Sequence, residues 1–340
     1  MTDLMKSRVV LGAHNVSHVS SSDFPHNYDG DLAWDIEKFK KNFKVVVGSL
    51  NEMDMEFDLI GIDAAIANAF RRILIAEVPT MAIESIFFHD NNSVLFDEVL
   101  AHRIGLVPLN ADPRLFEFRQ WDDTPTDLNT IVFRLEVKCT TNPKALPDEV
   151  DPKQKYINSN VYSKDLIWQP KGAQEEVFAD KPIKPVHDDI LLAKLRPGQS
   201  IVMDLHAQKG IGKEHAKWSP VATASYRLLP DIQILKPITG DDAIKFQKCF
   251  PKGTIEIEKG QAYVANPRKD TASRECLRHK EFEDKVRLTR VRDHFIFSIE
   301  STGALTPDAL FESAAQVLID KCKNMKQALN DMGLPATYDE

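Results

Sequence analysis

Few residues in this sequence have the type and spacing that catalysis requires. Glycines and a lysine lie close together in KGIGKEH at 209–215, as they do in phosphate-binding loops. The segment lacks the G-x-x-x-x-G-K-[S/T] spacing and the strand-to-long-helix setting, so a tight turn is the better interpretation. Glu98 and His102 would share a helix face at i and i+4, a spacing that ordinary surface pairs use as well as acid/base pairs. With no nucleophile elbow, H-E-x-x-H or kinase pattern in the sequence, we predict a protein without an active site.

Metal binding and cofactor binding are not predicted either. The four cysteines are Cys139, Cys249, Cys276 and Cys322, widely separated and without a C-x-x-C pair. His215 and His279 each lack a second ligand at zinc spacing. We therefore expect no metal and no cofactor, and we interpret the cysteines as buried thiols in a reducing, intracellular compartment.

Length and charge limit the possible classes of protein. The chain has 340 residues, which favours two domains, and its 43% hydrophobic and 28% charged residues are typical of globular proteins. Its net charge of −8 is opposite to that of an autonomous nucleic-acid binder. The stretch 268–292 nevertheless has more basic than acidic residues, interleaved with each other. A nucleic-acid-binding module built on this stretch is the alternative function, although such mixing is more typical of a solvated or protein-contacting surface.

The first ordered elements are predicted after a mostly irregular leader at residues 1–42. Two half-buried strands of a hairpin are indicated by alternating apolar residues, namely Phe43, Val45 and Val47, then Met55, Phe57 and Leu59. A helix should follow, because Asp63 is a good N-cap and Pro79 cannot continue a helix beyond Val78.

This helix has an unusual second face. Its apolar side is centred on Phe70, and the opposite side carries Asn68, Arg71 and Arg72 with Ile75 among them. An isoleucine between polar residues predicts a second contact surface, while a single exposed isoleucine is the alternative interpretation.

The C-terminal region predicts a strand over 293–303 and then a long helix, with Thr306 as its N-cap and Pro307 in its first turn. Heptad spacing within the helix relates Phe311, Ala315, Leu318, Cys322, Met325 and Leu329, which we call the seam. The apolar stripe is wide in the first half of the helix and narrow in the second. A wide stripe fits packing within the chain and a narrow one fits a partner helix; an entirely intrachain helix with a frayed end is the alternative.

Several segments of the chain carry a resemblance to a known family. They are IANAFRRILIAEVPTMAIES at 66–85, DEVLAHRIGLVPL at 97–109, VYSKDL at 161–166, LLAKLRPGQ at 191–199, KEHAKWSPV at 213–221 and FIFSIESTGALTPDALF at 295–311. Together, and in this order, they resemble the larger alpha-like subunit of RNA polymerases, a family that has archaeal members and includes bacterial alpha. FQKCFP at 246–251 and NPRKDTASRE at 266–275 resemble the version shared by eukaryotic RNA polymerases I and III.

The resemblance implies an α+β fold of two domains. A discontinuous dimerisation domain would comprise residues 43–79 and 222–335, and a β-rich insert domain would comprise residues 80–221. The absence of cysteine from residues 110–130 differs from the cysteine-rich zinc loop that is typical of the RNA polymerase II relative. This difference agrees with the polymerase I and III version.

The resemblance also implies a function. The chain would be a non-catalytic assembly subunit of RNA polymerases I and III, located in the nucleus and nucleolus, that supports synthesis of ribosomal RNA precursor, 5S rRNA and tRNA. It would form a heterodimer with a smaller alpha-like subunit through the seam. It would recruit the large catalytic subunits through Asn68, Arg71, Arg72 and Ile75, and would contact DNA only through the assembly.

Overall fold

The computed structural model describes residues 7–19, 35–120, 122–146 and 148–333. Its α-helices are α1 Ile36–Asn42, α2 Ala64–Ala76, α3 Asp97–Gly105, α4 Pro152–Lys155, α5 Gln174–Val177, α6 Asp241–Lys248 and α7 Pro307–Asp331. Its strands are β1 Arg8–Leu11, β2 Val16–Ser17, β3 Lys44–Leu50, β4 Asp54–Ile60, β5 Thr80–Asn91, β6 Leu109–Asn110, β7 Ile131–Lys138, β8 Thr140–Thr141, β9 Tyr156–Ile157, β10 Asn160–Tyr162, β11 Ile167–Trp168, β12 Lys184–Pro185, β13 Leu191–Lys194, β14 Ser200–Gly210, β15 Val221–Ile234, β16 Ile255–Glu258, β17 Gln261–Val264 and β18 Val286–Ser301. Helices and antiparallel sheets occur together, which confirms the predicted α+β class.

The chain packs into two compact units, each assembled from three stretches of sequence. The first unit comprises the described residues of 1–49, 56–69 and 225–298. The second comprises those of 50–55, 70–224 and 299–340. The predicted dimerisation and insert domains are defined by their roles in assembly, so the division into these two domains stays a prediction.

The first unit is built on most of a six-stranded sheet, with strand order β2-β1-β18-β4-β3 and β15 also paired with β18. Its core gathers buried side chains from α6, β16, β17, the start of β18 and the segment before β18, including Phe246, Ile255, Leu288 and Phe282. The sequence predicts an irregular leader, yet β1 is a strand of this sheet and pairs antiparallel with β18, Leu11 opposite Leu288. The difference arises because the partner of β1 lies far along the chain, where local sequence gives no signal of it.

The predicted hairpin of β3 and β4 is present, but the burial of its two strands differs. In β4 the alternation places Met55, Phe57 and Leu59 in the interior, and the Phe57 ring stacks on Phe297 at 5.3 Å between centroids. The expectation that β3 is half-buried is wrong, since Val45 is 44% exposed and Val47 is 53% exposed. The reason is that β3 ends the strand order of the sheet as an edge strand.

Helix α2 begins as the sequence predicts, because Asp63 Oδ1 accepts a hydrogen bond from the Ala65 backbone N–H at 2.7 Å. It ends at Ala76, shortly before Pro79, which lacks the N–H that a helix requires. Ala67, Ile73 and Leu74 on its apolar side are buried.

The second unit contains a four-stranded antiparallel sheet in the order β11-β7-β14-β5. Within this sheet β14 pairs with β5 on one side and β7 on the other. Alternate residues of β14, from Ile201 to Ala207, are completely buried against the hydrophobic core of the unit. Helix α3 contributes Leu100 and Ile104 to the same core.

Helix α7, in the second unit, starts at Pro307 as predicted and runs to Asp331. Thr306 has the extended backbone of an N-cap, but its side chain makes no capping hydrogen bond to the helix backbone. Its hydroxyl instead bonds to Asp308 and lowers the pKa of that carboxyl group. No helix among the described residues is long and apolar enough to cross a membrane.

Candidate interaction surfaces

The seam changes from half-buried to exposed along α7. Phe311, Ala315 and Leu318 are half-buried. They lie beside Leu310 and Ala314, which are fully buried residues of the same helix. From Cys322 onward the seam faces outward, with Met325 69% exposed and Leu329 37% exposed. The width of the apolar stripe therefore distinguishes the half of α7 that packs within the second unit from the half that does not.

Two side-chain contacts connect α7 with α2 and with Glu77, the residue that follows α2. The Phe311 ring lies 5.1 Å, centroid to centroid, from the Phe70 ring. Further along, Lys321 Nζ donates to Glu77 Oε1 at 2.6 Å. All residues from Lys321 to Gly333 are exposed, although the helix continues to Asp331. The second half of α7 therefore continues as helix with every residue exposed. Its burial against a partner helix stays a prediction.

The cysteines only partly match the expectation of buried thiols. Cys139, Cys249 and Cys276 are buried, whereas Cys322 is exposed because it belongs to the outward half of the seam. Burial raises the pKa of the Cys276 thiol to about 12, so this cysteine is protonated and unreactive at neutral pH. No group of three or more potential ligands is gathered in the part of the chain that the structure describes. The absence of a bound metal stays a prediction.

The four residues proposed for the second face of α2, three polar residues and Ile75, lie at i, i+3, i+4 and i+7 of one helix. Asn68 and Arg71 are half-buried, while Arg72 and Ile75 are exposed. Ile75 is 37% exposed, so the isoleucine within this polar face is accessible to a partner. We call these four residues the α2 face.

The glycines and histidines considered for chemistry have structural roles. A Cβ atom at Gly212 would lie 2.2 Å from the Ile75 carbonyl oxygen, so this glycine permits a close backbone approach. At the same turn the Lys213 backbone N–H donates to the Ala76 carbonyl at 2.8 Å. His102 packs its ring edge-on against His215, 6.0 Å between centroids. The geometry supports a tight turn and an aromatic contact rather than a phosphate loop or a catalytic dyad.

The basic stretch 268–292 uses many of its cations within the first unit. Arg274 donates to the backbone carbonyls of Gly12 and Asn15, and Arg292 donates to that of Val19. Ion pairs join Arg268 to Glu56 and Asp58, Arg278 to Glu275, and Lys285 to Asp242. Carboxylates thus neutralise three of these cations and backbone carbonyls hold two more in place, so the nucleic-acid alternative is not favoured.

Arg268 forms the largest of these ion-pair clusters, which the sequence did not predict. Its guanidinium donates to both oxygens of Asp58, at 2.7 and 2.8 Å, and to Oε1 of Glu56 at 2.8 Å. His294 Nε2 lies 2.9 Å from Asp58 Oδ2. Burial alone would raise the pKa of Asp58, but the hydrogen bonds from Arg268 and His294 outweigh it and hold the pKa below its ordinary value. Asp58 lies on the face of β4 opposite Met55, Phe57 and Leu59, so the alternation of apolar residues along the strand gave no signal that this carboxyl group would be buried.

Comparison with known proteins gives one family across most of the chain. A family model described as the RNA polymerase Rpb3/Rpb11 dimerisation domain matches residues 56–322. The chain is 54% identical over 332 residues to the human DNA-directed RNA polymerases I and III subunit RPAC1, with 96% of each chain covered. It is 52% identical over 329 residues to the Saccharomyces cerevisiae protein of the same name, covering 95% of this chain and 98% of that one. The RNA polymerase II subunit rpb3 of Dictyostelium discoideum is 34% identical over 285 residues, covering 79% and 89% respectively.

Proposed function

Because the chain belongs to the family of alpha-like RNA polymerase subunits that share the Rpb3/Rpb11 dimerisation domain, we propose that it is the non-catalytic assembly subunit common to RNA polymerases I and III. Near-complete coverage of the human and yeast relatives, both named as subunits of these two polymerases, supports the proposal. The lower identity to a polymerase II subunit favours polymerases I and III. The chain would then support synthesis of ribosomal RNA precursor, 5S rRNA and tRNA in the nucleus and nucleolus.

The exposed half of the seam carries the proposed heterodimer with a smaller alpha-like subunit. An ordered helix that exposes Cys322, Met325 and Leu329 at heptad spacing would bury these side chains against a partner helix. Met332 extends the same apolar line and is 73% exposed. The Phe70–Phe311 contact fixes the start of α7 on its own unit, so the second half of the helix is presented in a defined direction.

The α2 face is the proposed contact for a large catalytic subunit. Arg72 offers a planar group with several donors for carboxylates or backbone carbonyls, and exposed Ile75 adds apolar area beside it. Catalysis would belong to the large subunits. Residues 43–79 and 222–335 would form the dimerisation domain and residues 80–221 the insert domain.

Affinity purification from cells tests the proposed function. The tagged full-length protein is recovered from nuclear extract, and the co-purifying largest subunits are identified by mass spectrometry. We expect two different pairs of large subunits, those of polymerases I and III, together with one smaller alpha-like subunit. Recovery of the polymerase II pair in comparable amount would overturn the assignment, and recovery of one pair alone would disprove the sharing.

A further inference from the structure

A cavity of about 680 Å³ opens on the first unit, and none of its lining residues belongs to the seam or to the α2 face. Its walls come from β15, which contributes Arg227 and Leu228, and from β18, which contributes Arg290. The segment that follows the Arg268 cluster, from Lys269 to Ala272, forms the remaining side. Glu56 of β4 also lines the cavity, so four stretches of sequence that are distant from each other form one concave surface.

Three cationic side chains without hydrogen-bond or ion-pair partners among the described residues are gathered at this cavity. The side chains of Arg227, Lys269 and Arg290 line it, and none of the three forms a hydrogen bond or ion pair with a residue that the structure describes. Arg227 and Lys269 are exposed. Arg268 also lines the cavity, but Glu56 and Asp58 already neutralise its charge. The cavity thus presents three donors to a negatively charged ligand.

The buried carboxyl group of Asp270 is a second, independent indication that the cavity binds a ligand. It is only 6% exposed, and its Oδ1 atom is buried without a hydrogen-bond partner in the described chain. Burial raises the pKa of this carboxyl group, although the amides of Thr271 and Ala272 and the charges of Arg290 and Arg227 oppose the rise. Because buried acceptors in folded proteins are almost always satisfied, the oxygen is expected to accept from a donor other than the described residues.

The backbone beside Asp270 is held in an uncommon conformation. Ala272 and Arg274 have positive φ angles of 57° and 56°, in the left-handed region that residues other than glycine seldom adopt. The Arg274 side chain anchors this loop by donating to the carbonyls of Gly12 and Asn15. Such strain is retained where a loop must present particular groups to a ligand.

We propose that this cavity binds an acidic peptide segment of another polymerase subunit. The carboxylates of the segment contact Arg227, Lys269 and Arg290, and one of its backbone N–H or hydroxyl groups donates to Asp270 Oδ1. The inference rests on the proposed function, since it takes the ligand from within the polymerase. It adds a third contact to the seam and the α2 face.

Nucleic acid is the other possible anion, and Asp270 argues against it. A DNA phosphate brings negative charge without a hydrogen-bond donor, so it would leave Oδ1 unsatisfied and add repulsion to a carboxyl group. A peptide brings carboxylates and N–H donors together. The chain's net charge of −8 also disfavours contact with DNA.

Photo-crosslinking in the assembled polymerase tests the proposal. The photoreactive residue p-benzoylphenylalanine replaces Thr271, which is exposed at the cavity, in the tagged full-length protein. After purification of the polymerase and irradiation, mass spectrometry identifies the crosslinked peptide. The same residue at Ile244, exposed on α6 of the same unit but outside the cavity, is the positional control.

Charge reversal gives the second arm of the experiment. We expect a crosslink to a segment of another subunit rich in Asp and Glu, and Arg227→Glu or Lys269→Glu should reduce its yield at least about tenfold, because each variant reverses one charge-assisted contact. Lys248→Glu makes the same charge change at an exposed site on α6 and should leave the yield unchanged. A crosslink to nucleic acid, a crosslink to a segment without acidic residues, no crosslink, or a yield unaffected by both reversals would overturn the proposal. Co-purification of the large subunits is scored in the same samples, so a failure of the proposed function is recognised separately.

Discussion

Phe70 and Phe311 meet with their ring centroids 5.1 Å apart and their planes inclined at 42°. This contact joins the middle of α2 to the first turns of α7 within the second unit. The exposed part of the seam begins further along α7, at Cys322. The orientation of the exposed seam therefore depends on an aromatic pair outside the proposed contact with the partner.

The aromatic pair should be energetically coupled. Phe70→Ala and Phe311→Ala should each destabilise the protein, and the double variant should lose less than the sum by about 0.5–1.5 kcal/mol, the usual coupling of an aromatic pair. Chemical denaturation of the four proteins, monitored by circular dichroism, measures this difference. Strict additivity would show that the two rings do not support each other.

Met325 should determine heterodimer formation without affecting the fold of the free chain. Met325→Asp would bury a carboxylate in the partner interface and should weaken association by at least about 2 kcal/mol, or roughly 30-fold. The side chain is 69% exposed, so the unfolding temperature of the isolated chain should hardly change. Co-expression with the smaller alpha-like subunit followed by gel filtration measures dimer recovery. Asn324→Asp adds the same charge outside the seam and should form the heterodimer normally; equal recovery of both variants would exclude the seam.

Arg72 should act at a later step of assembly than Met325. Arg72→Ala removes an exposed guanidinium from the α2 face and should weaken recruitment of a large subunit by about 1–3 kcal/mol, while the heterodimer stays intact. Reconstitution at limiting subunit concentrations separates the two steps. Lys323→Ala removes an exposed positive charge from α7 and serves as the control. Normal recruitment of the large subunit by Arg72→Ala would mean that the α2 face is exposed to solvent and does not contact that subunit.

The lowered pKa of Asp58 makes a prediction about acid stability. The ordinary pKa of the group is 3.8, and that of the folded protein is lower, so ionised Asp58 stabilises the fold fully above pH 3.8 and loses its effect as the pH falls through the lowered pKa. Asp58→Asn should reduce the free energy of unfolding at neutral pH by about 1–3 kcal/mol, because it weakens the contact with Arg268. It should also flatten the fall in stability below pH 3.8. Denaturation curves across this range, with exposed Asp284→Asn as the control, decide whether the Arg268 cluster is stabilising.

The purified protein should contain no stoichiometric zinc or iron. No cysteine or histidine set in the sequence has ligand spacing, and residues 110–130 contain no cysteine. Elemental analysis after exhaustive dialysis without chelator measures the metal content. About one zinc ion per chain would show that ligands distant in sequence converge.

Local pattern was sufficient to predict α2, α7 and the hairpin of β3 and β4. Asp63 and Pro79 limit α2 because a cap and a missing N–H act on the nearest turn of helix. The narrowing of the apolar stripe along α7 likewise predicted which half would remain exposed. These features depend on residues a few positions apart, and the sequence displays such spacing directly.

Only the tertiary structure decided which distant residues meet. Periodicity shows that Val45 and Val47 are apolar, but the edge position of β3 leaves them exposed. The contact of Arg268 with Asp58 joins residues on opposite sides of the insert predicted at 80–221. The cavity at Asp270 likewise exists only because β15 and β18 are brought beside one loop. Side-chain spacing along one helix or strand determines which residues make up each of its faces. The packing of segments that are remote in sequence determines what covers a face, and a single sequence does not display that packing.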